Sequence, residues 1–348
     1  MSHTVALSTA SAGAPLKAET IERRELRADD VLIDIAYAGI CHTDIHQVRE
    51  EWGSAIFPMV PGHEIAGTVS AVGDDVTDYQ VGDRVGVGCM VDSCGECEYC
   101  KQDQEQFCTK GAVMTYNGKG FDGEETMGGY SQHVVVRDAF VVAIPDALEL
   151  DVAAPLLCAG ITTYSPLKRW GVGQGSKVAV VGMGGLGHVA VKFAVALGAE
   201  VTVLSRTTSK KDDSLKYGAV DHLSTSDEST FTDLASTFDV IINTVSANLP
   251  LDSYLATLKP NGAMVNVGGP SEPCEFSAFS LLAGGKVMAG TMIGGIAETQ
   301  EMLEVAAEHG IGAEIELIGA DEVNDAYDRV VNSDVRYRFV IDTATIKA

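Results

Sequence analysis

Nowhere in the 348 residues does an apolar run approach the ~18 residues needed to span a bilayer, so no membrane anchor is expected. The N-terminal stretch through Ala18 also lacks a basic start followed by an apolar core, the pattern of a secretion signal, which makes the cytoplasm the expected compartment. Positive charge is scarce as well: 24 Lys and Arg stand against 49 Asp and Glu, a formal charge of −25 at pH 7. A surface of that sign repels a phosphate backbone, which removes nucleic acid from the expected partners. The same excess keeps a chain soluble while making its compact state repel itself, and so fits a salt-rich working medium. Melting temperature and activity should then rise from low to molar salt; no gain would contradict this reading. Internal repeats and low-complexity segments are missing too.

What is present is a chain of two-domain length, at roughly 150 residues per domain. With 46% hydrophobic and 21% charged residues it has the mix of a globular protein with a large core. From 31 to 142 short apolar runs (31–38, 64–72, 84–89, 131–142) are cut by turns, which predicts an irregular, mostly β domain with its chemistry on loops. From Lys177 onward strands alternate with helices, the pattern of a parallel sheet covered on both faces. Strands are expected at 177–181, 200–204, near 220, and at 239–243, 263–267 and 287–291. Helices at 299–308 and 323–331 and a strand at 337–341 are too little for a core of their own. Their simplest place is against the first domain. The expected fold is therefore α/β plus β-rich: a discontinuous domain, 1–152 and 295–348, with a doubly wound six-stranded parallel sheet inserted at 153–294.

Eight cysteines could mean disulfides, but half of them gather between Cys94 and Cys108 in a chain with no secretion signal, so metal or catalysis explains them better. Cys94, Cys97, Cys100 and Cys108 offer four thiolates, enough to close a tetrahedral zinc shell with no position left for substrate, hence a structural metal. An iron–sulfur cluster is the rival. The last interval is longer than in the bacterial ferredoxin run, and no Cys-Pro follows.

Gly182-Met183-Gly184-Gly185-Leu186-Gly187 follows a predicted strand and opens a predicted helix. Glycine there permits a tight turn and close approach to a pyrophosphate, with helix N–H groups aimed at it. At the end of the next strand, where a carboxylate would bind the ribose diol of NAD, stand Ser205 and Arg206, with Lys210 beyond. These receive a 2′-phosphate, so NADP(H) is the expected cofactor. Asp212 and Asp213 belong to the first turn of the following helix.

Cys41, His63 and Cys158 are too far apart for spacing alone to join them, but their neighbours carry a resemblance. Cys41-His42-Thr43-Asp44, Gly62-His63-Glu64, the four-cysteine lobe and Cys158 with Thr162 resemble the zinc-containing medium-chain alcohol dehydrogenases. Trp52, Ser205-Arg206 and Met292-Ile293-Gly294-Gly295 resemble their cinnamyl-alcohol-dehydrogenase-like branch. The resemblance runs from about residue 31 to 341. It implies a GroES-like catalytic domain around a Rossmann-type domain, and two zinc ions per subunit. Cys41, His63 and Cys158 would bind catalytic zinc with Glu64 beside it, a set that is also sensible on chemical grounds. Asp44 would orient His63, and Thr43 would hand a proton toward His46 at the solvent end of a relay. His42 and Arg338 would lie near the cofactor phosphates. Thr162, Val245, Val267, Thr291 and Ile293 would surround the nicotinamide, with Thr244 and Gly268 also at the cofactor, and Trp52, Cys89 and Met90 in the substrate pocket.

The implied activity is reversible hydride transfer between NADP(H) and a broad range of primary alcohols and aliphatic or aromatic aldehydes, in a homodimer or homotetramer. Two other readings remain open: a zinc polyol or sugar dehydrogenase, and a zinc- and NADPH-binding protein without turnover.

Overall fold

The computed structural model describes residues 2–270 and 272–348. The chain divides into two compact units: residues up to Cys158 together with Gly294–Ala348, and Ala159–Ile293. The divisions thus follow residues 158 and 293, where the sequence suggested 152 and 294.

In the first unit the central strand is Asp30–Gly39. Val31, Ile33 and Ile35 are buried while Asp34 between them is exposed, the two-residue period of a strand with one covered face. It pairs antiparallel with Ile65–Val72, His133–Arg137 and Arg338–Asp342. The last pairing sets Val340 opposite Gly39 and Ile341 opposite Ala38, so the C-terminal tail completes the N-terminal sheet. Ile315–Ile318 extends it in parallel. Ile40, Ile45, Tyr130, Val323, Phe339 and Ile341 fill one core cluster, each such side chain stabilising by about 1.5–3 kcal/mol.

Two local expectations change. The predicted strand 131–142 breaks into His133–Arg137 and Val142–Ala143 around a 3-10 turn, Asp138–Phe140. There the Asp138 carboxylate accepts from the Ala139 N–H at 2.7 Å, a local bond that competes with the ladder. A hairpin of Ser2–Ser8 with Lys17–Arg23 has no counterpart in the sequence reading, because Lys17–Arg23 is almost wholly exposed and carries no apolar alternation.

The second unit holds six parallel strands. Numbered by occurrence within the unit, their order is 3-2-1-4-5-6: Asp221–Ser224, Glu200–Ser205, Lys177–Val181, Phe238–Asn243, Leu258–Asn266, Val287–Gly290. Val178, Ala179, Val180, Ile241 and Ile242 are fully buried, as strands covered on both faces must be. The order reverses between Lys177–Val181 and Phe238–Asn243, the position where doubly wound sheets open a ligand crevice at their carboxyl ends. No helix among the described residues is long and apolar enough to cross a membrane.

Candidate metal centres and cofactor site

The short helix His42–Val48 begins at Cys41, and Asp44 closes its first turn by accepting from the Cys41 N–H at 2.8 Å. Asp44 is fully buried, and its two oxygens are surrounded by donors. Oδ1 accepts from the Gly62 N–H at 3.1 Å and lies 3.1 Å from His63 Nδ1; Oδ2 also accepts from the Tyr130 hydroxyl at 3.2 Å. A carboxylate only accepts, so the ring proton of His63 sits on Nδ1 and Nε2 carries the free lone pair. That Nε2 is buried with no hydrogen-bond partner, as is Glu64 Oε2.

Two orphaned buried atoms of this kind need an explanation, and the sulfurs beside them supply it. Cys41, His63, Glu64 and Cys158 each bring one ligand atom to within 4.8 Å of the others. The Cys41 thiol is held well below its ordinary range, chiefly by a hydrogen bond from Cys158, whose own thiol is pushed up in return. Two sulfurs, an imidazole and a carboxylate oxygen fit zinc, and three protein ligands plus an open place is the catalytic pattern.

Glu64 has a second partner. Arg338, expected at the cofactor phosphates, is only 4% exposed and is paired with the Glu64 carboxylate. Its position follows from the sheet: Val340 and Ile341 are registered against Gly39 and Ala38, and the Gly39 N–H bonds the Glu64 carbonyl at 2.9 Å. Gly39 leaves room for this pair, since a Cβ there would stand 2.0 Å from Glu64 Oε2. Burial lifts the Glu64 carboxyl to about 7, with Arg338 opposing the rise.

Around these ligands, Thr43 is half-buried on the same short helix and His42 is exposed. His46 lies 2.5 Å from a Glu51 oxygen through Nδ1, and its ring stacks on Trp52 at 4.5 Å. Trp52 is 54% exposed, while Cys89 and Met90 are buried. After Cys41, Cys89 is the next neighbour that pushes the Cys158 thiol up.

The lobe brings Cys94, Cys97, Cys100 and Cys108 to the same mutual distance limit of 4.8 Å. Sulfurs of Cys94 and Cys100 are 3.9 Å apart and those of Cys97 and Cys100 3.4 Å. Thiolates placed about 2.3 Å from zinc in a tetrahedron would be about 3.8 Å apart. Backbone N–H groups of Cys100 and Thr109 hold the Cys97 thiol down at about 5, ready to bind as thiolate. All eight cysteines are unbridged.

In the second unit, Gly182 has φ +92°, and a Cβ on Gly187 would stand 2.1 Å from the Gly182 carbonyl oxygen. Both positions therefore demand glycine. Helix Gly187–Ala196 follows, capped by Leu186, and Gly184 and Gly185 complete the turn. Lys210 reaches back to the Met183 carbonyl at 2.9 Å, which brings the predicted phosphate lysine onto this turn. Arg206 is exposed, and Asp212 and Asp213 do open the next helix, Lys211–Lys216. Thr244 bonds the Val181 carbonyl through N–H and hydroxyl, and the Val267 and Gly268 N–H groups both bond the Asn243 carbonyl. These groups, with Val245, thus gather at the carboxyl ends of strands 1, 4 and 5. Thr162 is buried in helix Ala159–Arg169, and Thr291 follows the last strand. Ile293 closes the unit at φ +42°, which a β-branched residue seldom adopts.

Sequence reasoning missed the Glu64–Arg338 pair, Tyr130 beneath Asp44, and His222 beneath Ser205.

Two family models match the chain: an alcohol dehydrogenase GroES-like domain over residues 27–146 and a zinc-binding dehydrogenase over 185–308. A probable formaldehyde dehydrogenase of Bacillus subtilis is 63% identical over 340 residues, covering 98% of this chain and 97% of its own. An NADP-dependent alcohol dehydrogenase C of Mycolicibacterium smegmatis is 58% identical over 349 residues, with both chains fully covered. Among solved structures, a cinnamyl alcohol dehydrogenase of Sorghum bicolor superposes with TM-score 0.96 at 45% identity. One from Helicobacter pylori, complexed with NADP(H), gives 0.93 at 43%; each pairing covers 99% of both chains.

Proposed function

The chain belongs to the zinc-containing medium-chain alcohol dehydrogenase family, and from that premise we propose the division of labour its residues support. It is an NADP-dependent zinc alcohol dehydrogenase and aldehyde reductase, with zinc and NADP(H) as cofactors. The observation that carries the residue assignment is the buried, unpartnered Nε2 of His63 among the sulfurs of Cys41 and Cys158.

Cys41, His63 and Cys158 hold the catalytic zinc, with Glu64 as its neighbour, and the lobe cysteines hold the structural one. When bound, the catalytic metal would supply Lewis acidity at the substrate oxygen and NADP(H) the hydride donor or acceptor. Asp44 fixes the tautomer of His63 and raises its basicity as a ligand. Thr43 delivers a proton to the oxygen during reduction and withdraws it during oxidation. His46 exchanges that proton with solvent, its imidazole accepting it in one direction and donating it in the other.

The residues up to Cys158 and from Gly294 form the catalytic domain, and Ala159–Ile293 binds the cofactor. Gly182, Gly184, Gly185, Leu186 and Gly187 receive the pyrophosphate. Ser205, Arg206 and Lys210 receive the 2′-phosphate. Thr162, Thr244, Val245, Val267, Gly268, Thr291 and Ile293 frame the nicotinamide. Trp52, Cys89 and Met90 favour an apolar or aromatic substrate, and a broad range of primary alcohols and aldehydes follows, because each methylene in such a pocket discriminates by only about 1–3 kcal/mol. The unbridged cysteines suit a reducing cytoplasm. The edge strand Val287–Gly290, next to exposed Phe279 and Leu282, offers an apolar edge for a second copy, so the working form is a homodimer.

One purified sample tests the reading. NADPH oxidation should be rapid with benzaldehyde and butanal, and sorbitol should give no NADP reduction. The particle should weigh twice the chain and hold two zinc ions per chain. A preference for sorbitol, or cofactor binding without turnover across the aldehydes, would contradict it.

A further inference from the structure

His222 lies in the edge strand Asp221–Ser224 of the nucleotide unit, fully buried and outside the chemistry described so far. Its Nε2 is 2.8 Å from Ser205 Oγ and 3.2 Å from the Thr207 carbonyl oxygen. Its Nδ1 is 3.0 Å from Ser214 Oγ, on helix Lys211–Lys216. Ser205 Oγ in turn lies 2.5 Å from the Thr207 carbonyl as donor. One imidazole therefore joins the end of a strand, the loop after it and the following helix, and that loop carries Ser205, Arg206 and Lys210.

The hydrogen-bond roles follow from chemistry. Burial lowers the His222 pKa, so the ring is neutral near pH 7 and has one donor and one acceptor. The Thr207 carbonyl can only accept, which places the proton on Nε2, facing both Thr207 and Ser205. Ser214 Oγ lies 2.8 Å from the Lys211 carbonyl as well, and in this tautomer its one proton turns to Nδ1 instead. With Nε2–H serving the Thr207 carbonyl, the Ser205 proton is not required there and can turn to a bound ligand. A 2′-phosphate only accepts and needs such a donor; the free ribose hydroxyl of NAD(H) can donate for itself.

We propose that His222 is a positioning residue for cofactor selectivity, holding Ser205 as an outward donor that favours the 2′-phosphate of NADP(H) over the hydroxyl of NAD(H). This rests on the reading that Ser205, Arg206 and Lys210 meet that phosphate, and the test separates the two claims. The zinc-loaded enzyme is assayed with one aldehyde and both NADPH and NADH, as wild type, His222→Leu, His222→Gln, His222→Asn and Arg206→Ala. His222→Leu should lower the NADPH-to-NADH ratio of kcat/KM about tenfold, the scale of one lost hydrogen bond to a charged group. The change should come through KM for NADPH, with kcat and the NADH constants kept. His222→Gln, which retains an N–H near the place of Nε2, should recover most of the ratio, and His222→Asn, whose amide sits near Nδ1, should not.

If Arg206→Ala lowers the ratio but His222→Leu leaves it intact, the role of His222 falls and the phosphate reading stands. If neither lowers it, the phosphate reading falls as well. Equal losses with both cofactors would make His222 ordinary packing. If His222→Leu fails to fold, the contrast between Gln and Asn decides, and equal ratios in those two overturn the proposal.

Discussion

Replacing Cys158 or His63 with alanine should reduce kcat/KM by at least about 1,000-fold, since a metal that stabilises developing charge contributes several kcal/mol to the barrier and each 1.36 kcal/mol is tenfold. Both residues are almost wholly buried, and each supplies a ligand atom to the same cluster. Removing one leaves a buried sulfur or imidazole lone pair facing its former neighbours with no group to satisfy it. Bound zinc should fall from two ions per chain to one, because the lobe cysteines form a separate cluster. The lobe is thus an internal control: a variant that loses one zinc, keeps its melting temperature and loses turnover assigns the loss to the chemistry. Retained turnover with only lobe zinc would contradict the assignment.

The second large effect is on stability. Arg338→Met leaves the Glu64 carboxyl, fully buried, without its cation. Breaking one side of a buried ion pair costs about 3–5 kcal/mol, whereas replacing both members is often close to neutral. For a unit of this size the single change should lower Tm by roughly 6–20 °C. Glu64→Gln combined with Arg338→Met should recover a large part of that loss. Thermal melts of the two single variants and the double variant check this; additive losses would show that the pair is not coupled.

The sequence was most legible where chemistry is local. Four cysteines within fifteen residues and the glycine turn from Gly182 to Gly187 state their geometry through spacing alone, and both assemble as spacing implies. The parallel sheet was legible for a related reason: strands covered on both faces must be continuously apolar, as residues 178–181 of the strand Lys177–Val181 are. Sites made by register were harder. Arg338 meets Glu64 across 274 positions because the C-terminal strand slides along Asp30–Gly39 to one particular register, and no short pattern encodes that offset. Cys41, His63 and Cys158 were joined in advance only by resemblance. His222 was invisible for a different reason. A single histidine in a short strand carries no signal until the serines around it are located. The N-terminal hairpin escaped because its second strand faces solvent and lacks the alternation that marks a buried face.

The central claim is that the fold gathers Cys41, His63 and Cys158 around one metal with a place left for substrate. Anomalous diffraction at the zinc edge, on crystals grown without chelator, tests it most directly. The account predicts two peaks per chain: one among the lobe cysteines, and one about 2.0–2.3 Å from Cys41 Sγ, His63 Nε2 and Cys158 Sγ. A lobe peak alone, in protein that still reduces aldehydes with NADPH, would contradict it.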